Sequence, residues 1–208
     1  MPSQKAIRFG YKPLLFLVCL LPFADLTRRA LLNGGVLLGA NPLEEVIHQL
    51  GLWGLRFLVI TLAVTPVRKV FGWPQLVRFR RMLGLFAFFY GCLHFTTYVW
   101  LDKFFDVSAM LKDVARRPFI TAGFTAFVLL IPLALTSTAG WIRRLGGRRW
   151  QALHRLIYIS AVAAAVHYYW LVKSDIRLPF FYAAVVGMLL LWRIINRRTT
   201  RPAPVGGG

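Results

Sequence analysis

The sequence predicts an all-α integral membrane protein, a six-transmembrane-helix bundle with both termini cytoplasmic, and three observations carry that expectation. Of 208 residues, 58% are hydrophobic and only 16% charged, with a mean hydropathy of +0.60, too apolar for a water-soluble domain of this length. Six stretches are apolar over the roughly 17–20 residues that a bilayer core about 30 Å thick demands at 1.5 Å of rise per residue. The charged residues are sorted by sign along the chain, as insertion into a membrane requires.

The elements follow in order. Residues 1–12 form a basic cytoplasmic N-terminus with Lys5, Arg8 and Lys12. The first span, Pro13–Ala30, carries Pro22 and Asp25 and has the charge pattern of a signal peptide. Pro22 stands where cleavage near Ala24 would want a small residue, so the stretch is read as a retained helix. The remaining spans are Gly51–Val67, Met82–Leu101, Phe119–Leu135, Trp150–Trp170 and Leu178–Ile195, so that residues 13–195 make up one helical membrane domain. The connections Leu31–Leu50, Arg68–Arg81, Asp102–Pro118, Thr136–Arg149 and Leu171–Arg177 are too short for a soluble domain of about 50 residues or more. Residues 196–208 form a basic tail whose end, R-P-A-P-V-G-G-G, has a disordered composition.

Charge fixes the expected orientation. With the N-terminus inside, 17 of the 26 Lys and Arg fall on the inner side, 8 on the outer side, and Arg56 within the second span. All seven acidic residues fall outside, and the tryptophans cluster at span ends as an interfacial belt does. A net charge of +19 on a soluble fold would suggest nucleic acid, but here the basic residues flank apolar spans, and no nucleic-acid partner is expected.

Cys19 and Cys92 lie inside apolar runs without C-x-x-C spacing, which excludes a disulfide framework and argues against an iron–sulfur cluster or a thiolate zinc site. The histidines are more informative, since ionisable residues within a bilayer are costly and usually functional. His94 lies 12 residues along the third span and His167 lies 17 residues along the fifth, which places both in the outer half of the membrane on different helices. Two imidazoles at comparable depth are what a bis-histidine haem requires. His154 lies near the inner face, about 20 Å of helical rise before His167, and is a candidate for an inner haem or redox site. The position opposite it on the third span holds Arg80 or Arg81 where a second histidine is wanted. His48 reads as a surface or interfacial residue.

These residues resemble a known family. Leu145-Gly146-Gly147-Arg148-Arg149-Trp150-Gln151-Ala152-Leu153-His154-Arg155-Leu156-Ile157-Tyr158, followed by His167, is similar to the fifth helix of ferric-reductase-like transmembrane domains. Arg80-Arg81, Leu83-Gly84-Leu85, Tyr90, His94 and Tyr98 are similar to their third. The order of Leu38-Gly39-Ala40-Asn41-Pro42, His48-Gln49-Leu50-Gly51, Thr65-Pro66-Val67-Arg68, Arg117-Pro118-Phe119-Ile120 and Leu135-Thr136-Ser137 resembles the MsrQ (YedZ) family of haem-binding membrane subunits over nearly the whole chain.

The resemblance implies a cytochrome b of the bacterial inner membrane that takes electrons from the respiratory quinone pool. It would pass them to MsrP, a periplasmic molybdopterin subunit that reduces methionine sulfoxide in oxidised envelope proteins, so the catalytic reductase activity is expected in the partner. It implies heme b, one or two per chain, with His94 and His167 as axial ligands of the outer haem and His154 at the inner site. FMN is implied by the resemblance only, and no flavin motif carries it onto residues. About 13 residues follow the sixth span, too few for the flavin–nicotinamide domain of full ferric reductases, so the expected donor is a membrane-soluble carrier or a separate protein. Arg80, Arg81, Arg148 and Arg149 are candidates for pairing with cofactor phosphates or propionates, beside their role as inner anchors. Glu44, Glu45 and Asp106, on the longest outer loops, are candidates for docking a partner through charge. The competing readings are a stand-alone membrane ferric reductase and a non-redox transporter, which would purify without the colour of a haem.

Overall fold

The computed structural model describes residues 7–32 and 37–198, and they form a bundle of helices joined by short turns. Residues 1–6 of the basic N-terminus, 33–36 of the first connection and 199–208 of the tail lie outside the described residues. After a π-helical turn, Ile7–Tyr11, come α1 (Lys12–Leu31), α2 (Pro42–Phe71), α3 (Val77–Thr97, continued by a π-helical turn to Asp102) and α4 (Val107–Arg116). Then follow α5 (Pro118–Leu135), α6 (Ala139–Leu153), α7 (Leu156–Leu171) and α8 (Arg177–Arg198). By length and composition, α2, α3 with its π extension, α5 and α8 can cross a membrane. The apolar helix α7 is shorter, at 16 residues, and α1 carries Asp25, Arg28 and Arg29 within its 20.

Three segments differ from the sequence expectation, each for a local reason. Helix α2 begins at Pro42 rather than Gly51, because Asn41 caps it with its side-chain oxygen 3.3 Å from the Glu44 N–H and proline suits the first turn. Within the connection expected over Asp102–Pro118, Asp106 caps α4 by accepting a 2.9 Å hydrogen bond from the Ala109 N–H. The connection expected over Thr136–Arg149 is itself helical: α6 is bent at Gly146, whose φ of 72° only glycine adopts without strain, and most of its side chains, Arg143, Arg144, Arg148 and Arg149 among them, are exposed. So the fifth apolar helix starts at Leu156 and not at Trp150, since a segment this basic stays at the bilayer surface.

Two helix pairs make the centre. Helices α2 and α3 are joined through Gly72, left-handed at φ 64°, and pack closely where Gly54 faces the backbone of Ala87 and Gly91. Helices α5 and α7 pack through Ser160, Ala161 and Ala165, all buried, with the Ser160 hydroxyl donating to the Ala126 carbonyl at 2.9 Å. Small residues let helix backbones approach where lipid gives no hydrophobic drive for association. Helix α3 also touches α5, and α8 lies against α2 and α7.

Helix α1 packs on α3 through Phe16 against Phe86 and Phe23 against Phe89, and one side chain also bonds its backbone. Pro22 weakens its ladder, and the hydroxyl of Tyr90, a fully buried residue on α3, takes the place of the missing turn. It accepts from the Phe23 N–H at 3.1 Å and donates to the Cys19 carbonyl at 2.8 Å, the two groups that would otherwise bond each other. Without a hydroxyl there, both backbone groups lose this partner beside the proline, and each costs roughly 1–3 kcal/mol where it is left unsatisfied. Tyr90→Phe is therefore expected to lower the thermal unfolding midpoint in detergent and to speed limited proteolysis within α1, with cleavage elsewhere unchanged.

Candidate metal centre

Helices α3 and α7 bring His94 and His167 together. Their ring centres stand 6.1 Å apart with the planes at 70°. Each ring is held in the same way by a neighbouring helix. His94 Nδ1 lies 2.9 Å from the Ile47 carbonyl of α2, and His167 Nδ1 lies 2.6 Å from the Phe119 carbonyl of α5. A carbonyl only accepts, so Nδ1 carries the proton in both rings and the Nε2 lone pair is free to bind a metal.

Glycine makes this approach possible. Gly51 follows Ile47 by one helical turn, and Gly123 follows Phe119 by the same four residues. A Cβ on Gly51 would sit 3.0 Å from two atoms of the His94 ring, and one on Gly123 would sit 2.7 Å from His167 Nδ1. Each imidazole thus lies in a notch over a helical glycine and bonds the carbonyl four residues earlier. The role of these two glycines escaped the reading of the sequence, which weighed the ring-bearing helices and not the helices they press against.

The pair fits a haem. Metal–imidazole bonds of about 2 Å on opposite sides of one metal put the ring centres about 6 Å apart, close to the spacing seen. Among the described residues no group of three or more His, Cys, Asp or Glu could hold a metal by itself. In a haem held between His94 and His167 the porphyrin nitrogens would supply the remaining ligands.

His154 stands elsewhere, at the C-terminal cap of α6, where the chain turns before α7. Its ring stacks on Trp150 with centres 4.0 Å apart, and its Nε2 lies 3.0 Å from Thr136 Oγ1. The Thr136 hydroxyl gives its one hydrogen to the Pro132 carbonyl at 2.6 Å, so His154 Nε2 is the donor and Nδ1 is the nitrogen left for any ligand. Trp150 completes the corner by donating from Nε1 to the Thr136 carbonyl at 2.9 Å. Arg80 is near enough for its charge to act on His154, whereas Arg81, Arg148 and Arg149 are exposed.

The three acidic candidates have local partners. Glu44 accepts from the Asn41 amide at 2.9 Å beside the α2 cap and lies 4.0 Å from exposed His48, Glu45 accepts from Gln49 at 2.9 Å, and Asp106 caps α4. The most engaged carboxylate is Asp113 on α4. It receives the Tyr98 hydroxyl at 3.1 Å, the Lys103 ammonium at 2.8 Å and Arg117 Nε at 3.2 Å, and so ties α4 to the turn that follows His94.

The geometry and the helical membrane architecture together define a ferric-reductase-like transmembrane component. Residues 50–165 match the family described as Ferric reductase like transmembrane component. The chain belongs to the MsrQ family. It is 55% identical over 185 residues to the Protein-methionine-sulfoxide reductase heme-binding subunit MsrQ of Herminiimonas arsenicoxydans, covering 88% of this chain and 84% of that one. The protein of the same name from Polaromonas naphthalenivorans is 49% identical over 203 residues, covering 94% and 91%, and that from Azospira oryzae 51% over 195, covering 93% and 82%. No solved structure matches the chain.

The Asp113 cluster gives a pH dependence with a definite sign. The hydrogen bond from Lys103 holds the Asp113 carboxyl below the usual carboxylate range, against the opposing pull of desolvation. The stabilisation is present above the unfolded value of about 3.9 and is lost as pH falls through the lower folded value. Asp113→Asn is expected to lower the thermal midpoint at pH 7, and the gap to the parent protein should close as the pH is taken below about 4.

Proposed function

We propose that this chain is the haem-binding, electron-carrying membrane subunit of a protein-methionine-sulfoxide reductase. The observation that carries the reading is the facing pair His94 and His167, each with Nδ1 bonded to a helix carbonyl and Nε2 left for iron. The names of the relatives, heme-binding subunits of such a reductase, supply the system in which it works. Heme b held there carries one electron at a time. The chain's own contribution is to fix the ring tautomers and to surround the metal with apolar helices.

In this reading the chain spans the bacterial inner membrane six times with both termini in the cytoplasm, residues 13–195 forming the haem domain. The positive-inside bias of its loops supports that orientation. Electrons enter from quinol in the membrane and leave to a periplasmic molybdopterin partner, MsrP, where methionine sulfoxide is reduced. Glu44 and Glu45, in the first turn of α2, and Asp106, at the cap of α4, remain the candidates for docking on that side, in addition to their capping and pairing within the chain. His154, through its Nδ1, is the candidate ligand for a second haem at the other end of the bundle, with Arg80 beside it and Arg81, Arg148 and Arg149 on the same basic side. FMN rests on family resemblance alone, with no residues assigned.

Purified protein tests the assignment. His94→Ala and His167→Ala should each abolish the low-spin signal of the shared haem. Gly123→Ala should perturb that spectrum more than Gly51→Ala, because its added methyl lies closer to the ring it would displace. Normal haem content and low-spin character in both histidine variants would refute the pair. Pyridine haemochrome stoichiometry then counts the cofactor: one per chain for the pair alone, two where His154 also ligates. In the second case His154→Ala loses one haem and keeps the other. Reduction of ferric iron by the purified chain, with none passed to a methionine-sulfoxide reductase partner, would favour the stand-alone metalloreductase.

A further inference from the structure

A cleft of about 650 Å³ lies between α1 and α2, with Leu83 of α3 also in its lining. Its walls are of two kinds. Val18, Leu21 and Ile60 are 48%, 61% and 44% exposed, and in a membrane-embedded chain such side chains face lipid, so the cleft opens into the bilayer. Asp25, Arg29, Gln49 and Arg56 supply the polar part of the lining. A polar group inside a span is costly, and an arginine there usually has a ligand or a partner to meet.

The polar groups leave room for a ligand. Asp25 is held by Arg28 at 2.9 Å and Arg29 at 3.0 Å, yet its side chain is still 50% exposed. Arg56 donates from Nε to the Tyr182 hydroxyl at 3.0 Å and stacks on Trp53 at 4.5 Å, which leaves its terminal N–H groups for another acceptor. Gln49 donates its amide to Glu45, so its carbonyl oxygen stays available. Donors and acceptors together at one part of an apolar slot suit a ligand with oxygen-bearing ring and hydrocarbon tail.

The position of the cleft distinguishes a redox-active ligand from a structural lipid. Gln49 lies between Ile47, which holds the His94 ring, and Gly51, on which that ring rests. Trp53 and Phe57, both on the cleft wall, pack against Tyr90 with ring centres 6.5 and 5.3 Å apart, and Tyr90 precedes His94 by one turn. The cleft and the His94 ring thus both lie against α2, a helix about 10 Å across. A phospholipid would gain nothing from that closeness, whereas an electron donor would.

We propose that this cleft is the quinol oxidation site of the chain, with Arg56 and Arg29 donating hydrogen bonds to the ring oxygens and Asp25 and Gln49 accepting from its hydroxyls. The proposal rests on the quinol-fed reading given above. Oxidation breaks the two O–H bonds of the quinol and releases two protons and two electrons. The protons pass by way of exposed Asp25 to water. A haem held by His94 and His167 would take up the two electrons one at a time across α2, and the quinol departs as quinone.

Two measurements on the full-length haem-loaded protein in nanodiscs test it. A photoreactive azidoquinone should label peptides of α1 and α2 that line the cleft, and excess duroquinol should suppress the labelling. Ile60→Trp, which fills the apolar part, and Asp25→Asn, which removes the proton acceptor, should each slow haem reduction by duroquinol about tenfold or more, while dithionite still reduces the full haem complement. Labelling elsewhere, with both variants reduced at the parent rate, would overturn the cleft and leave quinol as the donor. A parent protein that dithionite reduces and no quinol reduces would overturn the quinol-fed reading itself, and this site with it.

Discussion

The arrangement depends on how closely one helix backbone can come to an imidazole on another. A helical carbonyl is already engaged with the N–H four residues on, and a Cβ at that later position would block a ring from reaching it. At Gly51 and Gly123 no Cβ stands in the way, so His94 and His167 reach the carbonyls of Ile47 and Phe119 and bond them in addition to the helix ladder. This contact orients each ring, fixes its tautomer and satisfies a polar nitrogen that lipid cannot. It also sets which helices must be neighbours: α3 against α2, and α7 against α5.

The same economy of polar groups runs through the bundle. Tyr90 repairs the Pro22 break in α1, Ser160 bonds the α5 backbone, and Thr61, Thr97 and Thr125 return their hydroxyls to carbonyls of their own helices. At the other end of the bundle Thr136, Trp150 and His154 close a corner in which nearly every polar atom has a partner. Both ends thus place a histidine in a hydrogen-bonded setting, but only one end brings two histidine rings within 6.1 Å of each other. That asymmetry separates His94 and His167, the candidate haem pair, from His154, the candidate for a separate site.

The charged residues divide into those that pair and those that orient. Asp113, Lys103, Arg117 and Tyr98 form a compact cluster that positions α4 beside the turn after His94. Arg143, Arg144, Arg148 and Arg149 line an exposed helix and leave the apolar start of α7 at Leu156. Arg56 belongs to neither group and, with the paired Arg29, is part of the lining of an apolar cleft.

Much of this was legible in the sequence, because hydropathy and a fixed rise of 1.5 Å per residue give helices and depths without any tertiary information. Counting along the expected spans put His94 and His167 at comparable depth, and the caps at Asn41 and Asp106 are local signals. Other features depend on which face of a helix meets which neighbour. The bend at Gly146 and the turn at His154 moved the start of the fifth apolar helix, since four arginines outweigh the apolar residues around Trp150 only where the segment meets the membrane surface. The glycine notches, the Tyr90 bridge and the cleft beside Arg56 join residues 40 or more positions apart in most cases. Their existence is set by the rotation and close packing of whole helices, which sequence spacing alone does not specify.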